Sequence, residues 1–188
     1  MKNKVILFIG PSGSGKTTLI NILINQYPDI FHKIVTSTSR LPRHNEREGV
    51  DYHFLNPVDF QNTSKFLEQT HYAGNSYGIT YNEVNSKLKQ KHTLAAVDIN
   101  GLHHFVEYLG KENVISFFVY APINVLRNRM FSRGDSKEKV IQRLTNIIQT
   151  REFNNQNLCD CTLLNDESIQ ISLAQAVDYL KKNRIIKS

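Results

Sequence analysis

Long apolar runs are missing from this chain. Nothing in its 188 residues approaches the roughly 18 consecutive apolar residues that would span a membrane. Cysteine is scarce as well. Cys159 and Cys161 cannot build a disulfide framework, and no second cysteine or histidine pair stands at zinc-site spacing. They read as ordinary residues on or beside a strand in a reducing compartment. Internal repeats, linkers and low-complexity tracts are lacking, so the length fits one compact domain. Basic and aromatic residues are not interleaved densely enough for a stacking platform, which argues against nucleic acid as the primary partner. The opening is expected to be a first buried strand, not a secretory signal. Only five apolar residues, Val5 to Ile9, follow the basic opening Met1 to Lys4, and Gly-rich sequence stands where a cleavage motif would be.

Apolar types make up 40% and charged types 21%, a balance that permits a real core and excludes global disorder. Lys plus Arg number 23 against 17 for Asp plus Glu, a formal net charge of +6. Such a surplus fits nucleic acid, an anionic surface or a site full of phosphate, and composition does not choose among them.

Apolar runs and helical periods alternate along the chain. Val5 to Ile9 is a buried strand, and Leu19, Ile20, Leu23 and Ile24 form a helical face that stops before Pro28. Ile34 to Ser37 resembles a short second strand, followed by a charged loop from Arg40 to Asp51. Asn56-Pro57 is a cap with a first-turn proline, opening a helix through about Leu67. Residues 66–79, with a Gly74-Asn75 turn, suggest small antiparallel strands. Thr80 with Glu83 is a capping box for the next helix. Thr93 to Asp98 and Val114 to Tyr120 are further apolar runs. Ala121-Pro122 leads into a helix through about Met130, and Asp135 with Glu138 forms a capping box for a helix reaching Glu152. Thr162 to Leu164 is a last strand and Ile169 to Leu180 the closing helix. The alternation implies an α/β domain: a parallel sheet covered on both faces, with a small antiparallel insertion near 35–80.

The strongest motif is Gly10-Pro11-Ser12-Gly13-Ser14-Gly15-Lys16-Thr17, which matches G-x-x-x-x-G-K-[ST] between a predicted strand and a predicted helix. The glycines let successive N–H groups turn inward around phosphates, which also meet the positive end of the helix. Lys16 is expected to reach the β- and γ-phosphates, and Thr17 to offer its hydroxyl to Mg²⁺. A flexible Gly/Ser turn is the bland alternative. A cation at a helix start, against the dipole, is hard to explain by stability alone.

Such a loop does not say what becomes of the γ-phosphate. Asp98 closes an apolar run, the place from which a carboxylate serves Mg²⁺ directly or through water. Asp98-Ile-Asn-Gly101 fits the D-x-x-G pattern of GTPases, but that match fixes two positions of four and no N-K-x-D segment exists. Arginine discriminates better. Arg40 and Arg43 follow Thr36, Ser37, Thr38 and Ser39, while Arg129, Arg133 and Arg143 surround Arg133-Gly134-Asp135-Ser136. Two distant clusters could clamp a substrate phosphate from one side and a γ-phosphate from the other. Solvated surface arginines are the alternative for any single one, least adequate for Arg40 and Arg43.

Thr38-Ser-Arg40-Leu-Pro-Arg43, then Glu46, then Gly49-Val-Asp51-Tyr52-His-Phe54, resembles the monophosphate-binding signature of guanylate kinases. Phe66-Leu-Glu68, Gly74-Asn75, Tyr77-Gly78, Arg133-Gly134 and Asn165-Asp166 fall in the family's order, so the resemblance covers nearly the whole chain. It implies transfer of the γ-phosphoryl of ATP to GMP, with Mg²⁺, by a P-loop core, a GMP-binding insertion and a mobile helical lid. The corresponding division is core 1–34, 81–124 and 152–188, insertion 35–80 and lid 125–151. By the same resemblance Gly10 to Thr17, Thr18 and Asn165 would bind ATP. Thr36, Arg40, Arg43, Tyr52, Glu68, Tyr77, Thr80, Asp98 and Asn100 would bind GMP. Lys16, Arg40, Arg129, Arg133 and Arg143 would carry catalysis, and Thr17 and Asp98 would serve the metal. The implied partners are small-molecule nucleotides, with neither nucleic acid nor membrane, in a cytoplasmic monomer or homodimer.

Three departures bear on selectivity. Asn100 stands where the family usually has a second acid, losing a charge-assisted bond to the guanine amine. Ile79 occupies the place of a small hydroxyl residue, with Thr80 next to it. The lid is about one residue short after Gly134. A weaker GMP site than the family norm is therefore expected. Two alternatives remain: a P-loop kinase for another phosphorylated acceptor, and a non-catalytic interaction domain of the same fold.

Overall fold

The computed structural model describes residues 3–63, 65–72 and 74–187; Met1 and Lys2 of the opening segment lie outside them. Strand β1 (Val5–Ile9) is buried throughout, with Ile6 and Phe8 in one apolar cluster and Val5, Leu7 and Ile9 in another. A strand whose alternate residues are apolar on both sides must be covered on both sides. Its sheet is wholly parallel. β1 lies between β7 (His92–Ala96) and β8 (Val114–Tyr120), with β2 (Phe31–Lys33) and β9 (Cys161–Leu164) at the edges, in the order β2-β7-β1-β8-β9. Helices α1 (Lys16–Gln26) and α7 (Ile169–Lys182) cover the first face through Leu19, Ile20, Leu23, Leu173 and Leu180. α3 (Tyr81–Leu88) and α4 (Ile99–Leu109) cover the second through Val84, Leu102 and Phe105.

A third apolar cluster joins α5 (Ile123–Ser132) to α6 (Lys137–Gln149) through Leu126, Met130, Val140 and Ile147. Phe153, in a 3-10 turn over Glu152–Leu158, packs against both this cluster and the second face, its ring 5.4 Å from Tyr120. It ties the helical pair to the main sheet.

A second sheet holds β4 (Tyr52–Phe54), β3 (Thr36–Thr38), β6 (Asn75–Thr80) and β5 (Phe66–Tyr72) in that order. β5 with β6 and β3 with β6 run antiparallel, as expected, but β3 with β4 is parallel, so the insertion is mixed.

Four local expectations need correction. The strand expected at Ile34 to Ser37 is the crossing between two sheets, since β2 ends at Lys33 and β3 begins at Thr36. The Ile34 N–H still donates to Leu94 O in the main sheet, and the Val35 N–H turns to Glu83 Oε1 at 3.0 Å before β3 begins. The helix opened by Asn56, α2 (Pro57–Asn62), ends well before Leu67; Lys65 is left-handed and Phe66 stacks back on Phe60 at 4.7 Å. Helix α4, with Asp98 as its cap, stands where the sequence marks no element. Ser136, not Asp135, caps α6, its hydroxyl accepting from the Lys139 N–H. Thr80 does cap α3, while the Glu83 carboxylate serves Val35 instead of closing the box. Among the described residues no helix is long and apolar enough to cross a membrane. Cys159 and Cys161 are free, and burial, reinforced by Asp160, pushes the Cys159 thiol up to about 11.

Candidate active site

The phosphate loop leaves the end of β1 and enters α1. Two of its glycines are required by close approach. A Cβ on Gly10 would stand 2.5 Å from the Val119 carbonyl, and one on Gly15 would collide with the Asn165 amide; both have positive φ. Gly15 is the N-cap of α1 and offers no side chain, so the helix's first N–H groups are left for a ligand in the loop. Lys16 Nζ donates to the carbonyls of Gly10 at 2.6 Å and Pro11 at 3.0 Å. Burial lowers its pKa to about 8, Glu152 acting against that and Arg133 with it. Thr17 and Thr18 are exposed, whereas Pro11 and Ser14 are buried.

Asn165 lies beneath the loop. It is 2% exposed, and its Nδ2 donates to the Ser14 carbonyl at 2.6 Å. Arg129 Nη2 approaches its Oδ1 at 3.5 Å, while Arg129 Nη1 is buried without an acceptor among the described residues. Arg133, the C-cap of α5, reaches across to the loop and donates to Ser12 Oγ at 3.1 Å. Arg143, on α6, shares with Arg133 a single carboxylate, that of Asp135.

Three other carboxylates face this region. Asp98, just past β7, caps α4 through a 2.9 Å bond from the Gly101 N–H. Glu68, on β5, is 4% exposed, and burial followed by the nearby Asp98 charge pushes its carboxyl up to about 8. Glu152 is also raised by burial, with Lys16 opposing and Asp98 reinforcing the shift. Lys16, Glu152, Asp98 and Glu68 thus form an electrostatic run from the loop to the insertion. Nothing in the sequence marks Glu152; it is a lone acid after a helix.

On the insertion, Arg40 Nη2 lies 2.9 Å from both Glu46 oxygens, and Nη1 donates to Leu41 O at 2.7 Å. Its guanidinium sits 5.3 Å from the Tyr52 ring centre and also hydrogen-bonds the Tyr77 side chain. Tyr52 and Tyr77 are in edge contact at 6.1 Å. Thr36 stands beside Tyr52 across β3 and β4. Arg43 is 59% exposed, though its N–H donates to Glu46. The Thr80 hydroxyl caps α3 and Asn100 is exposed on the first turn of α4, while Ile79, the departure from the family pattern, is fully buried in the second apolar cluster.

No group of three or more His, Cys, Asp or Glu able to hold a metal occurs among the described residues. The candidate oxygen donors for a metal near the loop are the Thr17 hydroxyl and the Asp98 carboxylate, with the Glu152 carboxylate beside Lys16. That suits Mg²⁺, which takes one or two protein oxygens and the rest from phosphates and water.

A phosphate loop on a wholly parallel sheet, with arginines on a helical pair above it, defines a protein of the P-loop nucleotide-binding fold. The fold is similar to a shikimate kinase from Bacteroides thetaiotaomicron, with TM-score 0.53 and 13% identity over 97% of this chain and 99% of that one. It is more similar to a guanylate kinase from Anaplasma phagocytophilum, with TM-score 0.74 and 21% identity over 99% and 88%. At these identities the likeness speaks for the fold alone. The guanylate kinase family model matches residues 2–182. A guanylate kinase of Malacoplasma penetrans is 32% identical over 173 residues, 89% of this chain and 87% of its relative. One of Bacteroides fragilis (strain YCH46) is 38% identical over 145 residues, 74% and 70%. The chain belongs to the guanylate kinase family and so to the nucleoside monophosphate kinases.

Proposed function

We propose that the protein transfers the γ-phosphoryl group of ATP to GMP, and to dGMP, giving ADP and the nucleoside diphosphate. The observation that carries this reading is Glu68. A buried carboxyl on the insertion sheet works against folding, with a pKa about 8 and another acid nearby. Guanine offers two adjacent donors, N1–H and the exocyclic amine, which a carboxylate can accept together; adenine has no N1–H.

Around that anchor the roles divide as follows. Arg40, Arg43, Tyr52 and Tyr77 take the GMP phosphate, with Glu46 orienting both arginines, while Thr36 and Asn100 line the base. Thr80 acts through the start of α3. Gly10 to Thr18 cradle the ATP phosphates, and Asn165 supports the loop from below. Arg129, with a buried donor lacking an acceptor among the described residues, faces the donor phosphates together with Arg133 and Arg143. Thr17 and Asp98, directly or through water, are the residues that would hold Mg²⁺ bound with ATP, which would supply positive charge against the donor phosphates. The acceptor oxygen is ionised at neutral pH, so no general base is needed; the protein positions the oxygen in line and offsets charge. The insertion (35–80) and lid (125–151) close over the core to keep water from ATP. The setting is the cytoplasm, with monomer or homodimer as the working unit.

A second reading, another phosphorylated acceptor in place of GMP, is favoured only by the exposed Asn100 and the buried Ile79. Phosphorus NMR of the protein with ATP, Mg²⁺ and GMP tests the reaction. ADP and GDP should appear in equal amounts; ADP with inorganic phosphate would mean hydrolysis and would contradict transfer.

A further inference from the structure

Asp135 leaves the capping of α6 to Ser136, and its carboxylate lies between two arginines. Its Oδ2 accepts from Arg133 Nε at 2.6 Å and from Arg143 Nη1 at 2.7 Å. The Asp135 and Arg143 side chains are each 11% exposed. The Asp135 N–H is fixed as well, donating to Met130 O at 3.1 Å. One oxygen thus gathers two like charges from different elements, the end of α5 and the body of α6. The gathered Arg133 is the residue that reaches Ser12 of the phosphate loop.

Two guanidiniums drawn to one oxygen, Arg143 shielded and Arg133 36% exposed, repel each other unless a counter-charge lies between them. One carboxylate against two cations leaves the trio net positive, so it still attracts phosphate. Charged donors held in place before the reaction need no reorganisation when charge develops.

Resting on the phosphoryl-transfer reading, we propose that Asp135 is a positioning residue that holds Arg133 and Arg143 as a preformed pair above the phosphate loop. It touches neither nucleotide. Its removal releases the pair and misplaces both donors.

The test compares wild type with Asp135→Asn, Asp135→Glu and Ser136→Ala. Ser136→Ala loses the helix cap but keeps the carboxylate, and so measures what lid destabilisation alone does. Asp135→Asn should lower kcat by about 10²-fold, the scale of an ångström's misplacement, with KM for GMP unchanged. Asp135→Glu should restore part of the loss, and Ser136→Ala should lower the melting temperature with kcat near wild type. Two readouts do not depend on the acceptor. Phenylglyoxal should modify Arg133 and Arg143 faster in Asp135→Asn, as mapped by mass spectrometry, and calorimetry should find ATP–Mg²⁺ bound severalfold more weakly. Wild type that binds ATP but does not turn over GMP would sink the functional reading, and these two readouts would then decide on Asp135 alone. Unchanged labelling and ATP affinity in Asp135→Asn would overturn the proposal. So would a raised kcat, or an equal loss in Ser136→Ala.

Discussion

Lys16 stands at the first position of a helix, against the helix dipole, with its ammonium buried on two loop carbonyls and a pKa lowered to about 8. Its charge acquires a full partner only when phosphate enters the loop. Lys16→Ala should therefore leave the melting temperature near or above wild type and reduce kcat by at least about 10²–10³-fold, checked by circular dichroism and steady-state kinetics. Glu68 has the opposite sign and the same logic. Its folded pKa, about 8, lies above that of an unfolded carboxyl, so the folded state binds the proton more tightly. The stability this contributes is full below the unfolded pKa and is lost as pH rises towards 8. Denaturant titrations should find Glu68→Gln increasingly more stable than wild type between pH 5 and about 8. Under the proposed reading the carboxylate is the form that accepts from guanine, so KM for GMP should fall as pH rises to about 8 and then level off. A flat profile would remove Glu68 from the base site. Asn100 can accept from guanine but without charge. Asn100→Asp should lower KM for GMP roughly tenfold, the worth of one charge-assisted bond in place of a neutral one.

Elements were legible where local pattern and tertiary setting agree. The loop flanked by β1 and α1, the α5 turn at Pro122 and the caps at Asn56 and Thr80 follow from residues a few positions apart. Legibility failed where partners are distant. Phe31 to Thr38 is one β-favouring run, and only Leu94, Glu83 and Tyr52 decide that it divides between two sheets. α4 carries a readable period, Leu102, Phe105, Val106 and Leu109, but Asp98-Ile-Asn-Gly101 draws it towards a loop motif when it is a helix cap. In the site, Arg40 and Glu68 stand out by their motif, whereas Asp135 and Glu152 acquire a role only from charges brought beside them by the fold. The Thr80 cap gives a test at this scale. Thr80→Ala removes the acceptor of the Glu83 N–H and should lower unfolding free energy by about 1 kcal/mol in urea, with only a small change in kcat.

For the whole molecule, the net charge of +6 takes its meaning from placement. Lys16, Arg129, Arg133 and Arg143 gather at the loop, Arg40 and Arg43 stand on the insertion, and Asp98 is coupled to Glu68 on one side and to Glu152 beside Lys16 on the other. Positive charge at the loop and on the insertion suits the phosphates of two ligands, and under the proposed reading Glu68 faces the acceptor's base, away from the transferring group. A nucleic-acid groove would carry positive charge along its length. Both nucleotide KM values should rise with ionic strength, as screening weakens attraction into the cleft. The most direct measurement is kcat/KM across a panel of acceptors (GMP, dGMP, AMP, CMP, UMP and small sugar phosphates) with ATP–Mg²⁺, following ADP release. GMP and dGMP should exceed every other acceptor by orders of magnitude, and Glu68→Gln should narrow that gap. Equal rates across the panel, a sugar phosphate in first place, or ADP release indifferent to any acceptor would contradict the assignment.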